Sequence, residues 1–152
     1  MIDLNSGDER VPFTPVVLYI DYISIQYTKY LKDNYPEITP RDFTYLVTIH
    51  YNPNLTQREL SEILFVSEAN VAQIIKRLEK NELIYRVCDE NNKSKKILNV
   101  TDKAKLIIFS LLKEIYEFEA KFFEDYGEED AEKFKKMVHA YSEWANIFVN
   151  FK

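Results

Sequence analysis

The chain has 152 residues, of which 46% are hydrophobic and 14% aromatic, and it contains only 2 glycines and 5 prolines. This composition predicts one domain with a packed, mainly helical core and excludes a disordered or collagen-like chain. A single cysteine excludes an internal disulfide, and a net charge of −5 argues against a general nucleic-acid binder.

Two helices are predicted before residue 55. Pro12 and Pro15 favour the entry to the first, which runs from Val16 to about Tyr35 and carries two apolar stripes. Thr39 is a candidate N-cap for the second, with Pro40 at its first helical position. The segment 52–54, with a proline between two asparagines, predicts the end of this second helix.

A pair of short helices is predicted next. The segment Thr56-Gln57-Arg58-Glu59 has the pattern of a capping box, so a helix should begin there, and Ser67 is the N-cap of the helix that follows. Helical spacing turns the apolar residues of this second helix inward, namely Val71, Ile74, Ile75 and Leu78. Its predicted outward face consists of Glu68, Ala69, Asn70, Gln73, Lys76, Arg77 and Lys80.

A β-hairpin is predicted after these helices. Residues 83–88 and 97–100 are β-prone, and the polar segment 89–96 between them carries lysines at 93, 95 and 96. Helix, turn, helix and hairpin together are typical of a winged helix-turn-helix. That module usually places its second helix in the major groove of DNA.

Two long helices are predicted at the C-terminal end. The first begins at Thr101-Asp102 and runs to about Tyr126, Gly127 breaks it, and the last runs from about Glu129 to Asn150. Each carries two apolar stripes, which is more apolar surface than a monomer of this size hides, so we expect a homodimer. The candidate interface residues are Phe13, Val16, Ile20, Ile115, Phe122, Val138, Tyr141, Trp144, Phe148 and Phe151.

The charge is unevenly distributed along the chain. Residues 55–105 contain 10 Lys/Arg and 8 Asp/Glu, whereas residues 1–54 contain 4 and 7 and residues 106–152 contain 6 and 10. Only the central segment is therefore positive, by +2. This is a weak electrostatic footprint for DNA, and it coincides with the predicted winged module.

The central segment resembles the MarR family of dimeric winged-helix regulators. The resemblance rests on Leu55-Thr56-Gln57-x-Glu59-Leu60-x-x-Ile63, Val66-Ser67-x-x-x-Val71-x-x-x-Ile75-x-Arg77-Leu78-Glu79, Leu83-Ile84-x-Arg86 and Val100-Thr101-x-Lys103. It implies a single domain over 1–152, mainly α with a small β-wing. The winged lobe would span 55–101, flanked by dimerisation helices at 12–35 and 102–152. The implied function is sequence-specific transcriptional regulation by a homodimer on a pseudo-palindromic operator.

The chain departs from the family pattern at three places, one of which is the family glycine after Thr-x-Lys: it is Ala104 here, which a helix tolerates well. The family glycine before the first wing strand is replaced by Asn81-Glu82, so Asn81 or, with strain, Glu82 must take a left-handed conformation. The family wing carries Asp-x-Arg where this chain has Asn92 and Ser94, which leaves lysines as the phosphate contacts.

The candidate partner of the winged lobe is double-stranded DNA. Asn70 and Gln73 have side chains able to bond adenine edges, and Arg77 can hold a phosphate or a guanine. The alternative is a winged-helix module that binds another protein without DNA. The candidate DNA contacts are Thr56, Gln57, Ser67, Glu68, Ala69, Asn70, Gln73, Lys76, Arg77, Arg86, Lys93, Ser94, Lys95 and Lys96.

A set of aromatic residues has two interpretations. The family often has a pocket for aromatic acids, so the resemblance raises a small aromatic or anionic effector as a further partner. Ordinary core packing is the favoured alternative, because Tyr and Phe at helical spacing usually indicate burial. The residues concerned are Tyr19, Tyr22, Phe43, Tyr45 and Phe109.

Other functions are not expected. His50 and His139 lie in no metal-binding pattern, and two glycines cannot supply a phosphate loop, so we expect no metal, no cofactor and no enzymatic activity. Cys88 is interpreted as a small strand residue rather than a redox sensor. No apolar run reaches membrane-spanning length, and we expect a cytoplasmic protein with no membrane partner.

Overall fold

The computed structural model describes residues 11–149. In this part of the chain a short 3-10 turn, Val11–Phe13, precedes six α-helices and two strands. They are α1 (Val16–Asn34), α2 (Pro40–Tyr51), α3 (Gln57–Ile63), α4 (Glu68–Lys80), β1 (Ile84–Cys88), β2 (Lys96–Val100), α5 (Asp102–Phe123) and α6 (Glu128–Val149). The prediction of a mainly helical protein with a small β-wing is confirmed, although the predicted end of the last helix at Asn150 lies outside the described residues.

The helix starts follow from local side-chain caps. Thr56 and Glu59 form the predicted capping box: Glu59 N donates to Thr56 Oγ1 over 3.2 Å, and Thr56 N donates to Glu59 Oε2 over 2.8 Å. Ser67 Oγ accepts from Asn70 N over 3.2 Å. Thr39 caps α2, and Asp42 completes a second reciprocal box there. The three predicted N-caps are therefore confirmed.

Among the described residues, Phe65 and Glu82 follow helices in the left-handed region although neither is glycine. Phe65, in the turn between α3 and α4, has φ of 52°, and Glu82, between α4 and β1, has φ of 58°. Of the two positions predicted to take the left-handed conformation before β1, Glu82 takes it, whereas Asn81 stays at φ of −86°.

The wing is fixed to the helices by backbone hydrogen bonds. Strands β1 and β2 pair antiparallel, with Ile84 opposite Val100 and Cys88 opposite Lys96. Leu98 N donates to Leu55 O over 2.8 Å, which joins β2 to the segment just before α3. Thr101 N donates to Leu83 O over 3.0 Å and closes the base of the hairpin. The hairpin therefore has a defined place beside α3 and α4.

The chain divides into two compact units, residues 1–108 and 109–152. In the first unit, side chains from α1 to α4 and from both strands form one apolar core. Its fully enclosed members include Leu31, Leu46, Leu60, Val71, Ile75, Leu78 and Leu83. Because α4 contributes three of these residues, its rotation about its own axis is fixed by the core.

Several helices present large apolar side chains to solvent. Leu31 is the one buried residue of α1, and the exposed residues of that helix include Val16, Val17, Leu18, Ile20, Tyr22 and Ile23. In the second unit Phe122, Phe123, Tyr126 and Phe134 form a ring cluster with centroids 5.0 to 6.4 Å apart. Within residues 11–149, no helix combines the length and apolar character needed to cross a bilayer.

Candidate nucleic-acid interface

Helix α4 separates a buried stripe from a polar outward face, as predicted. Val71, Ile74, Ile75 and Leu78 are buried. The residues exposed on its other side are Glu68, Ala69, Gln73, Lys76, Arg77 and Lys80, and Asn70 is half-buried at the margin. The amide of Gln73 and the ammonium groups of Lys76 and Lys80 are thus available to an external partner.

Arg77 has a partner within the chain that the sequence did not indicate. Its Nη2 donates to Asp42 Oδ1 of α2, where the Arg77 side chain is 48% exposed and that of Asp42 only 3%. Asp42 is the acidic residue in the first turn of α2. The separation of 35 positions along the chain explains why no local pattern revealed the pair.

Arg86 of β1 is also paired. Its Nε and Nη2 donate to the two carboxylate oxygens of Glu79 on α4, over 2.8 and 3.1 Å. This bidentate contact joins the wing to α4. Both arginines predicted to contact DNA therefore hold carboxylates of their own chain.

The wing lysines differ in their surroundings. Lys93 is exposed and has no ion-pair partner among the described residues, whereas Lys95 Nζ lies 3.9 Å from Asp89 Oδ2. Lys96 Nζ donates to Cys88 Sγ across the hairpin over 3.0 Å. In the tip, Asn92 Oδ1 accepts from both Ser94 N and Ser94 Oγ, which orders the turn.

A shallow, open cleft of about 720 Å³ lies between α3, the start of α4 and the wing. It brings together seven of the predicted DNA contacts, namely Thr56, Gln57, Glu68, Arg86, Ser94, Lys95 and Lys96. It also includes Arg58, Glu59 and Glu62, which sequence reasoning missed. Their exposure on α3 was readable from helical spacing, but their proximity to the wing depends on the tertiary fold. Asn70, Gln73, Lys76 and Lys93 lie outside the cleft lining.

Acidic groups reduce the positive charge of this cleft. Arg58 Nε donates to Glu62 Oε1 over 3.2 Å. Hydrogen bonds from the backbone and hydroxyl of Thr56, with a smaller contribution from the charge of Lys95, lower the pKa of Glu59. Glu59 is therefore ionised at neutral pH. Because Arg77 and Arg86 are paired with carboxylates, the unpaired positive charge near the outward face of α4 comes mainly from lysines.

The aromatic residues considered for an effector pocket are in different environments. Phe43 and Tyr45 are buried in the core of the first unit, and Tyr45 Oη has no hydrogen-bond partner among the described residues. Tyr19 and Tyr22 are exposed on α1, and Phe109 is exposed in the second unit. The effector pocket stays a prediction. Within residues 11–149, no three His, Cys, Asp or Glu side chains are grouped to hold a metal ion.

Most candidate dimer residues have exposed side chains. Phe13, Trp144 and Phe148 are 86%, 67% and 82% exposed, and Ile115 is half-buried. Val16, Ile20, Phe122, Val138 and Tyr141 are also exposed. Phe151 lies outside the described residues.

Comparison with known proteins finds one matching family and several structures of similar fold. The model of the MarR family matches residues 38–95. The uncharacterized HTH-type transcriptional regulator YybA of Bacillus subtilis is 37% identical over 71 residues, and this alignment spans about half of the relative's length and 47% of this chain. The crystal structure of MarR superposes with a TM-score of 0.68 and 27% identity, covering 87% of this chain and 98% of MarR.

A structure of Streptococcus pneumoniae FabT in complex with DNA has the same fold. Its TM-score is 0.70 at 20% identity, over 90% of this chain and 94% of FabT. The motifs of the winged lobe, the matched family model and the structural agreement lead to one assignment. Residues 38–95 match the MarR family, and the chain has the winged helix-turn-helix fold of the solved MarR structure.

Proposed function

We propose that the protein is a DNA-binding transcription regulator that acts as a homodimer on a pseudo-palindromic operator. The observation that carries the proposal is the outward face of α4, where Gln73, Lys76 and Lys80 are exposed beside a lysine-bearing wing. A glutamine amide can pair with an adenine edge, and lysines can neutralise phosphates. The complex of FabT with DNA, a protein of the same fold, supports this proposal.

The second subunit follows from the exposed apolar side chains of α1, α5 and α6. In a two-fold dimer, two copies of α4 would read two half-sites about one DNA turn, roughly 34 Å, apart. A pseudo-palindromic operator is the sequence that such symmetry requires.

One observation favours the alternative of a protein-binding winged helix. Arg77 and Arg86 are both paired with carboxylates of the same chain, and the cleft contains Glu59, Glu62 and Glu68. A surface of mixed charge can also be complementary to the charges of a protein partner. The alternative therefore needs a direct test.

The test compares a change in the wing with a change in α4. Replacement of Lys93, Lys95 and Lys96 by Ala should weaken binding to selected and mixed-sequence DNA alike. It should also reduce the salt slope by up to about 3, because about 0.9 counterion is released per neutralised phosphate. Gln73→Ala should weaken chiefly the selected DNA, by about 1–3 kcal/mol, and leave the salt slope almost unchanged.

The matched control replaces Lys113, Lys133 and Lys136 by Ala, since these exposed lysines lie on α5 and α6. It removes the same charge and should affect DNA binding much less than the wing variant. The selected DNA is a duplex that the parent protein enriches from a random pool. If the wing and Gln73 variants bind both DNAs as the parent does, the protein-binding alternative replaces this proposal.

A further inference from the structure

The carboxylate of Asp42 joins α2 to α4. One oxygen, Oδ2, accepts from Thr39 N over 2.9 Å and completes the cap of α2. The other, Oδ1, accepts from Arg77 Nη2 on α4. Both oxygens of this buried side chain therefore accept a hydrogen bond. One bond comes from the N-cap of its own helix, and the other comes from α4, the helix proposed to read DNA.

The two ion pairs of α4 hold opposite margins of the helix. Arg77 and Glu79 are two residues apart, which places them about 200° apart around the axis. Arg77 binds α2 through Asp42, and Glu79 binds β1 through both oxygens to Arg86. Rotation of α4 about its axis would lengthen one of these contacts.

That rotation also determines which side chains can reach a base. Asn70, Gln73 and Arg77 are spaced i, i+3 and i+7, so they lie within about 60° of one another on the helix. Arg77 thus marks the same side of α4 as Asn70 and as Gln73, the residue to which the proposed function assigns base reading. A guanidinium has a planar fork of donors, so it can bind Asp42 on one edge and present another outward.

We propose that Asp42 is a positioning residue for base discrimination, which acts on α4 through Arg77. The inference rests on the proposed DNA-binding function and deepens it. Asp42 holds the guanidinium, the guanidinium adds to the buried stripe of α4 in fixing the rotation of that helix, and the exposed part of Arg77 is left to contact a DNA phosphate beside the bases that Gln73 reads.

A purely structural role for the pair makes a different prediction. A pair that only stabilises the fold changes the fraction of folded protein, but the folded molecules still distinguish DNA sequences as the parent does. A positioning pair changes that discrimination itself. The decisive readout is the ratio of affinities for selected and mixed-sequence duplexes, measured on protein shown by circular dichroism to be folded at the assay temperature.

The first variant is Asp42→Asn, which keeps Arg77 and its charge but weakens the hold on it. We expect the affinity ratio to fall about three- to tenfold, as is common for one link of a coupled network. Binding to mixed-sequence DNA should be undiminished, because no positive charge is lost. Thr39→Ala is the matched control: it weakens the same cap and should lower the melting temperature, yet it should leave the ratio unchanged.

Arg77→Lys gives the answer even where Asp42→Asn fails to fold. Arg77 is half exposed, and lysine keeps the charge while lacking the fork that serves two partners. We expect Arg77→Lys to keep the salt slope of the parent. It should lower the ratio of affinities for selected and mixed-sequence DNA by as much as Asp42→Asn does. The double variant should discriminate no worse than Arg77→Lys alone, because Asp42 acts through Arg77.

Two outcomes separate this inference from the function on which it rests. A parent protein that binds neither duplex overturns both the DNA-binding function and the positioning role. A parent that discriminates, with a folded Asp42→Asn or Arg77→Lys variant that discriminates equally well, overturns the positioning role alone. Additive losses in the double variant would also overturn it.

Discussion

Glu59 illustrates how a single residue connects a local motif to stability. Its carboxylate accepts from Thr56 N over 2.8 Å and from Thr56 Oγ1 over 2.7 Å, and these bonds favour the ionised form. They hold the pKa of Glu59 below its ordinary value. A carboxyl group whose pKa is lowered by folding contributes stability above its unfolded pKa of about 4.3. That contribution disappears as pH falls through the folded-state pKa.

We predict that Glu59→Gln makes the protein less stable at neutral pH and less sensitive to acid. Glutamine keeps the shape of the capping box but cannot ionise, so the gap in melting temperature between parent and variant should narrow as pH falls from 7 to about 3. Thermal unfolding followed by circular dichroism measures this gap. Glu90→Gln, an exposed change outside the caps, is the control. A constant gap, or the same narrowing in the control, would contradict the prediction.

The separation of two partners along the chain decides whether the sequence can predict their contact. The Thr56–Glu59 box was predictable because both partners lie three residues apart, within one helical turn. The pairs Arg77–Asp42 and Arg86–Glu79 depend on how α2 and the wing pack against α4. Residue type placed both arginines among the DNA contacts, whereas only the fold shows that each holds a carboxylate.

At the scale of elements, the helix ends show a conflict between residue type and backbone. Phe65 and Glu82 adopt φ of 52° and 58°, where the Cβ of an ordinary residue costs about 1–2 kcal/mol. The family resemblance placed a glycine before the first wing strand, and the sequence limited the left-handed residue to Asn81 or Glu82. Residue preference favoured Asn81. The structure selects Glu82, whose carbonyl oxygen accepts from Thr101 Oγ1 over 2.8 Å.

We predict that Glu82→Gly stabilises the protein by about 0.5–1 kcal/mol. Glycine removes the Cβ penalty at this φ, and the greater freedom of glycine in the unfolded chain offsets part of the gain. Asn81→Gly is the matched control, because its φ of −86° suits an ordinary residue, and that change should destabilise by a similar amount. Urea unfolding at constant pH gives both free energies. Equal effects at the two positions would show that the φ of Glu82 is not the cause.

At the scale of the whole molecule, charge and apolar surface are distributed differently along the chain. The segment 55–105 has a net charge of +2, although the whole chain has −5. Large exposed apolar residues are concentrated instead in α1, α5 and α6. Periodicity predicted these apolar stripes correctly, because a helix carries its pattern in its own sequence. What covers a stripe is not encoded locally, so the second subunit stays a proposal.

The last prediction is that the protein is a dimer through these helices. Soluble monomers rarely expose contiguous apolar patches larger than a few hundred Å². Trp144 and Phe148 are 67% and 82% exposed on α6, and large aromatic side chains commonly dominate binding energy at interface centres. Light scattering of the parent at micromolar concentration should therefore give twice the mass of one chain. Replacement of both residues by Ala should shift the measured mass towards that of a single chain.

The control for this change is Phe65→Ala. Phe65 is 72% exposed, comparable with Trp144, but lies in the turn between α3 and α4 rather than on a candidate interface helix. If the loss of any exposed aromatic side chain lowered the mass, Phe65→Ala would lower it as well. If the loss of a dimer contact is the cause, only the variant with both α6 residues replaced should have a lower mass. A monomeric parent would contradict the proposed dimer directly. The operator would then lose the two-fold symmetry expected of it, because one α4 can read only one half-site.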